Sequence, residues 1–267
     1  MKPFNFTEPT TARVPILLSV PHCGNIIPEN LKPQYKPEKI QFIDDTDWFV
    51  HDLYSFAPTM GITLLSANVS RWVIDLNRHP QSKPLYNDGR VITGLCPTTD
   101  FLSHNIYNDN RTEVNEVEVS ERIELYYEPY HQKIQSTLTE LNAEFGKALL
   151  WDCHSIRQLV PSIRPEKFPD LILGDADGTS ASPGIIEATL KSLEASGLMV
   201  SHNSPFKGGH ITRAYGNPSE NVHALQLEMT KVNYMDDDER EYHPPRALRM
   251  QQTLKSVFEN LIENFFQ

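Results

Sequence analysis

Histidine and acidic side chains occur where several short apolar runs of the sequence end. His22 follows the run that closes at Val20, His154 follows the run at 148–152, and Glu228 lies within the run ALQLEM. In an open α/β sheet, ligands collect at the carboxyl ends of the strands. Two imidazoles and one carboxylate form a common set of three protein ligands for zinc, with a fourth position left for water. A further glutamate could serve as general base and then as acid toward a leaving amine.

The carboxylate ligand is less clearly indicated than the two imidazoles. The acids Asp44, Asp45 and Asp47 lie together before a predicted helix, and such a cluster is often only a helix cap. Spacing alone does not choose among the three. Glu228 is a better signal, because a charge within an apolar strand needs a partner or a metal. The sequence therefore predicts metal-assisted hydrolysis with the carboxylate ligand left open.

The pattern of short apolar runs and longer helical stretches predicts a three-layer α/β/α sandwich with a mixed, mostly parallel sheet, forming a single domain over 1–267. Long helices follow from apolar residues at three- and four-residue steps, and Pro129 must kink one of them or begin a new segment. The predicted strands are 14–20, 63–66, 72–76, 148–152, 170–173, 198–201 and 224–229. The predicted helices are 47–56, 115–145, 183–196 and 245–265. Two irregular stretches, 77–115 and 203–221, have the length of functional loops.

Bulk composition excludes several classes of partner. The net charge is −11, and no dense Lys/Arg run is available to replace the counterions of a nucleic acid. The same acidity argues against an anionic membrane surface, and no apolar run approaches the roughly 20 residues of a membrane span. Three cysteines in no familiar spacing and an N-terminus without an apolar signal segment predict a reducing, cytoplasmic location. We expect a small-molecule substrate, and the oligomeric state is not predicted.

Seven segments, in order along nearly the whole chain, resemble the N-formylglutamate amidohydrolase (deformylase) family. They are VPHCG, DDTDWFVHDLY, SRWVIDLNR, LYNDG, YYEPYH, LLWDCHS and LQLEMT. The resemblance implies a zinc-exopeptidase-like fold and the cleavage of N-formyl-L-glutamate to L-glutamate and formate, the last step of a histidine degradation route. It also implies a divalent metal, with Zn²⁺ as first choice and Co²⁺, Fe²⁺ or Mn²⁺ as alternatives.

The resemblance assigns roles to individual positions. His22 and His154 match the two histidine ligands, and Glu228 matches the catalytic general base. Asp47 is our choice for the carboxylate ligand, with Asp44 and Asp45 as rivals.

The two carboxylates of N-formylglutamate predict arginines that bind them. Planar guanidinium groups pair with carboxylates in a bidentate manner. Arg71 and Arg78 flank the strand predicted within SRWVIDLNR, and Arg213 lies in the glycine-rich stretch GGHITRAYG. His210 in the same stretch is a candidate for stabilising an oxyanion. The alternative for each arginine is an ordinary surface ion pair.

Three other functions compete with this interpretation. A cysteine nucleophile would pair Cys23 with His154 or Cys153 with His22, because adjacent residues of a strand point to opposite faces. A related metal-dependent deacylase or amidase would keep the metal and accept a different acyl group. A non-enzymatic acidic binding protein would use its histidines and glutamates only for packing.

Overall fold

A computed structural model describes residues 1–81 and 94–266, in which seven strands form one sheet. The strand order is β1-β3-β2-β4-β7-β5-β6. Only the β1–β3 and β5–β7 pairs of this sheet are antiparallel, and the other four neighbouring pairs are parallel. The strands are β1 (Phe4–Thr7), β2 (Ile16–Val20), β3 (Thr63–Ala67), β4 (Ala148–Ile156), β5 (Leu171–Gly174), β6 (Val200–His202) and β7 (Val222–Thr230).

Helices fill most of the segments between the strands. Asn115 caps the first long helical segment, because its side chain accepts from the backbone N–H of Glu118. A π-helical stretch, Ile123–Tyr127, joins α3 to α4. Pro129, the second residue of α4, directly follows this stretch and has no N–H to donate to the preceding turn. The α-helices are α1 (Pro37–Ile40), α2 (Val50–Leu53), α3 (Glu116–Arg122), α4 (Glu128–Phe145), α5 (Pro183–Glu194), α6 (His210–Tyr215) and α7 (Pro244–Phe265).

Alternate residues of the central strands pack into two separate apolar cores, one on each face of the sheet. On one face Leu18 and Trp151 belong to the core that includes residues of α5 and α7. On the other face Leu17 and Leu150 pack in the core that includes Ile134 and other residues of α4. The predicted three-layer arrangement with a mixed, mostly parallel sheet is therefore confirmed. No helix within 1–81 and 94–266 has both the length and the apolar character needed to cross a membrane.

One predicted strand is wrong. The run 72–76 forms turns instead, although Trp72, Val73 and Ile74 are all buried. Trp72 and Val73 pack in one core and Ile74 in another, so the run is apolar because it is enclosed on several sides. Local polar groups close the turns: the backbone N–H of Val73 donates to the Ser70 carbonyl, and Asn77 N donates to Asp75 Oδ1.

The helix predicted over 47–56 is also shorter than expected. Phe49 has a φ of 63° in the left-handed region, so α2 begins only at Val50 and ends at Leu53. The segment that carries Asp47 is consequently a loop, and it lies against the residue that follows β2 through a hydrogen bond from Asp47 N to the His22 carbonyl. The short strand β1 had no sequence signal. The segment LYNDG at 85–89 lies outside the described residues.

Candidate metal centre

His22, Asp47 and His154 converge at one buried point. His22 follows β2, Asp47 lies in the loop before α2, and His154 is within β4. One ligand atom from each lies within 4.8 Å of the others. Asp47 Oδ2 is 3.2 Å from His154 Nδ1 and 3.8 Å from His22 Nδ1. Ligand atoms of a tetrahedral zinc site lie about 3.3 Å apart, so this donor set fits a divalent ion with little movement.

The hydrogen bonds of His22 indicate the neutral tautomer in which Nδ1 carries no proton. A guanidinium group of Arg71 lies 3.1 Å from Nδ1, and because arginine can only donate, Nδ1 must accept. The proton is therefore on Nε2, which donates to Asp75 Oδ1 over 2.7 Å. An ion bound at Nδ1 would replace the contact with Arg71, because this nitrogen has one lone pair. A ligand histidine whose other nitrogen donates to a carboxylate is typical of metal sites in proteins.

His154 has an equivalent carboxylate behind it. Asp152 lies two residues earlier on the same face of β4, and its Oδ2 is 3.1 Å from His154 Nε2. The Asn77 amide nitrogen lies 3.1 Å from the same oxygen and 2.9 Å from His154 Nε2. Ile211 N donates to Asn77 Oδ1 and so fixes the amide. Each of the two candidate ligand imidazoles therefore has its own buried aspartate.

Charge interactions compete with burial throughout the centre. Burial alone would raise the pKa of Asp75, but Arg71 and His22 hold it well below its usual range. Burial and the neighbouring Arg71 lower the pKa of His22. Burial opposes charge on His154 too, yet Asp152 and Asp47 raise its pKa well above the ordinary value. The candidate ligands thus lie in a closely compensated network of buried charges.

Glu228 lies beside the candidate ligands. It is opposite His154 in the parallel pairing of β4 and β7 and is 9% exposed. Burial raises its pKa to about 8, and the negative charge of Asp47 adds to this while His154 opposes it. A carboxyl group with a pKa near neutrality can both accept and return a proton. A single cavity is lined by Glu228, by all three candidate ligands, and by Arg71 and Arg78.

Comparison with known proteins identifies the family to which this arrangement belongs. The family model described as N-formylglutamate amidohydrolase matches residues 14–235. The chain belongs to the N-formylglutamate amidohydrolase family. It is 39% identical over 259 residues to an N-formylglutamate deformylase from Pseudomonas aeruginosa, covering 94% of this chain and 92% of that one. It is 38% identical over 253 residues to an N-formylglutamate deformylase from Pseudomonas putida, covering 94% of this chain and 93% of that protein.

A solved structure from the same family has the same fold. The crystal structure of an N-formylglutamate amidohydrolase from Ralstonia eutropha superimposes with a TM-score of 0.82 at 27% identity. The match covers 97% of this chain and 98% of that one.

The acids of the DDTD segment have different partners in this family member. Asp47 contacts both imidazoles. Asp44 pairs with Arg157 through Nε at 2.9 Å, and Asp45 accepts from the Trp72 indole at 2.8 Å. Among the three, only Asp47 joins the cluster of possible metal ligands found in the described residues.

The four predicted substrate-binding residues divide into two groups. Arg71 and Arg78 line the cavity. Arg213 and His210 lie on α6 and are not among the described residues that line it. Arg213 Nε donates to the Gly208 carbonyl over 3.0 Å, and burial lowers the pKa of His210 to about 4. The structure thus brings two of the four to the candidate metal centre.

Several residues that contact the candidate ligands or line this cavity were not predicted from the sequence. Asp152 had a usable signal, because it lies two positions before His154 and strand side chains alternate with a period of two. Asp75 and Asn77 gave no such signal. Asp75 was placed within the predicted strand 72–76, and Asn77 was placed at the start of the irregular stretch 77–115. Gln226 was also missed, and its Oε1 accepts from Gly209 N over 2.7 Å, which links β7 to the start of α6.

The thiols are unsuited to nucleophilic attack. Cys153 is fully buried in the core on the opposite face from His154, and burial raises its pKa well above the ordinary value. Burial also raises the pKa of Cys23, whose thiol donates to the carbonyls of Val20 and Ala67. A thiolate is the reactive form of cysteine, so these environments disfavour the cysteine-based alternative.

Proposed function

We propose that this chain hydrolyses the formamide bond of N-formyl-L-glutamate to give L-glutamate and formate, as the last step of a histidine degradation route. His22, Asp47 and His154 would hold the divalent ion, with Zn²⁺ as first choice. The observation that carries the proposal is the buried His–Asp–His cluster with Glu228 in the same cavity. Relatives with the name N-formylglutamate deformylase, similar over 94% of the chain, support the choice of substrate.

The bound ion would supply Lewis acidity toward a water molecule and the formyl oxygen. Asp75 accepts from His22 Nε2 and so keeps the proton off His22 Nδ1. Asp152 lies 3.1 Å from His154 Nε2 and would accept from it when His154 Nδ1 binds the ion. The carboxylate of Asp47 offsets part of the positive charge at the same point.

Glu228 moves the proton. Its carboxylate accepts a proton from the attacking water as the new C–O bond forms at the formyl carbon. The same proton is then passed to the amide nitrogen as the C–N bond breaks, so that the amine leaves neutral. Burial raises the pKa of Glu228 to about 8, and the positive charge of a bound divalent ion would lower this pKa and favour the carboxylate form that accepts the proton.

Arg71 and Arg78 would bind the substrate carboxylates, because both line the cavity beside the metal ligands. Arg213 and His210 remain proposed contacts from α6. We expect their substitution by alanine to raise KM less than substitution of Arg71 or Arg78, since they lie outside the lining that the structure describes.

The experiment is a formate-release assay on metal-replete protein with N-formyl-L-glutamate, run beside Glu228→Gln. General acid–base catalysis is worth about 10²- to 10⁴-fold, so we expect a loss of kcat in that range with metal content unchanged. Near-normal turnover of Glu228→Gln would show that Glu228 is not the base. Acetyl- and longer N-acylated glutamate and aspartate, assayed in parallel, test the alternative of a deacylase with other specificity.

A further inference from the structure

We propose that Asp75 is a positioning residue that couples the metal site to the substrate-binding arginines, so that one buried carboxylate orients both. This inference rests on the proposed function for the identity of the substrate. It concerns a residue outside the predicted ligand, base and substrate-binding sets.

Asp75 divides its two oxygens between the two parts of the site. Oδ1 accepts from His22 Nε2 over 2.7 Å, and from the backbone N–H of Asn77 over 2.9 Å. Oδ2 accepts from Arg71 Nη2 over 2.9 Å and lies 3.7 Å from Arg78 Nη2. The residue is 1% exposed. A carboxylate with this many donors in a buried site has one available orientation.

The arginines are tied to the metal ligand through this carboxylate. Arg71 contacts Asp75 with one terminal nitrogen and His22 Nδ1 with the other, at 2.9 and 3.1 Å. The central carbon of its guanidinium group also lies 4.7 Å from the centre of the Phe101 ring. A displacement of Asp75 would therefore move the His22 ring and the guanidinium group together.

Asp152 provides a matched comparison within the same chain. Its Oδ2 lies 3.1 Å from His154 Nε2, the ring nitrogen away from the candidate metal position, as Asp75 Oδ1 lies beside His22 Nε2. Among the described residues, its other hydrogen bonds are with the neutral side chains of Asn77 and Thr212. Loss of Asp152 should weaken metal binding without a direct effect on the arginines.

The test compares Asp75→Asn and Asp152→Asn with the parent protein. The dissociation constant for Zn²⁺ is measured by competition with a chromogenic chelator, and KM and kcat for N-formyl-L-glutamate are measured at saturating Zn²⁺. Loss of an outer-shell carboxylate lowers metal affinity about 10- to 100-fold, and we expect this in both variants. Only Asp75→Asn should also raise KM, by about tenfold, because the arginines lose their charged hydrogen-bond partner.

Separate outcomes identify separate failures. Unchanged Zn²⁺ affinity in Asp75→Asn, or an equal rise of KM in Asp152→Asn, overturns the coupling. If the parent protein binds Zn²⁺ but releases no formate, the proposed substrate is wrong, and the Zn²⁺ affinities alone then decide whether Asp75 positions His22. Circular dichroism and thermal melting establish that the variants fold. If Asp75→Asn does not fold, Asp75→Glu is tested in its place. Its added methylene moves both carboxylate oxygens, so we again expect a lower Zn²⁺ affinity and a higher KM.

Discussion

At the scale of single residues, the environment of a carboxylate decides what it can do. Asp44 is partly exposed and its charge is paired with that of Arg157. Asp45 accepts two hydrogen bonds from neutral donors, and burial raises its pKa to about 6. Asp47 has two imidazoles as neighbours; burial works against its charge, but His154 and His22 lower its pKa. Of the three, Asp47 alone is kept ionised beside nitrogen ligands.

Substitution of these aspartates separates the metal ligand from its neighbours. We expect Asp47→Asn to lower Zn²⁺ affinity by more than about a hundredfold, because loss of a ligand costs more than the roughly 10- to 100-fold loss of an outer partner. Asp44→Asn is the control, and its affinity should stay within about threefold of the parent, since partly exposed ion pairs contribute little. Equilibrium dialysis against a chelator measures both. The reverse ranking would contradict the assignment.

The thiols give a second prediction at this scale. Because burial raises the pKa of Cys23 and Cys153, both remain protonated at neutral pH and resist alkylation in the folded protein. Treatment with iodoacetamide should leave formate release unchanged, whereas a chelator should abolish it and added Zn²⁺ should restore it. Activity that falls in proportion to alkylation of Cys23, with metal content intact, would revive the cysteine nucleophile.

At the scale of elements, the end of β7 supports the loop that carries Asp47. Lys231 follows β7 and is 3% exposed. Its ammonium group donates to the carbonyls of Asp44 and Thr46, over 3.1 and 2.8 Å. Buried carbonyls need donors, so this one side chain fixes the backbone on both sides of Asp45, directly before Asp47. The strand that presents Glu228 thus also positions a candidate ligand.

Removal of the Lys231 ammonium group should loosen that loop. We expect Lys231→Met to lower the free energy of unfolding by about 1–3 kcal/mol, because two buried carbonyls lose their donor, and to weaken Zn²⁺ binding at the same time. Lys191→Met, at an exposed position of α5, removes the same charge and should change neither quantity. Urea unfolding and chelator competition provide the measurements. Full Zn²⁺ affinity in Lys231→Met would mean that other contacts hold Asp47.

The sequence predicted the helices and strands whose apolar residues follow a single helical or strand pattern. It failed for segments whose side chains pack into more than one core. The strands that became β2, β3, β4 and β7 and the helices that became α5 and α7 follow simple apolar patterns. The run 72–76 was predicted as a strand because it is mostly apolar, as a buried strand is. The apolar pattern does not show that the run is enclosed on several sides or that hydrogen bonds close turns within it. The left-handed conformation of Phe49, which shortens α2, also leaves no trace in the sequence.

At the scale of the whole molecule, distant segments must meet for the site to exist. His22 and His154 were predicted because histidines after parallel strands gather at one edge of a sheet. Asp75 and Asn77 could not be predicted, since their positions depend on how a turn-rich segment packs over that edge. The single domain over 1–267 and the cytoplasmic location stay predictions, and the site assignments await the experiments above.

This convergence links metal binding to global stability. An ion held by His22, Asp47 and His154 joins β2, the loop before α2, and β4, so it binds the folded chain far better than the unfolded one. At free Zn²⁺ a hundredfold above the dissociation constant, the free energy of unfolding should rise by about 2.7 kcal/mol. The stabilisation should disappear with a chelator and in His154→Ala, and it should persist in Glu228→Gln. Urea unfolding with and without Zn²⁺ measures it. Equal stabilisation of His154→Ala by Zn²⁺ would place the ion elsewhere, because the three segments would then no longer share it.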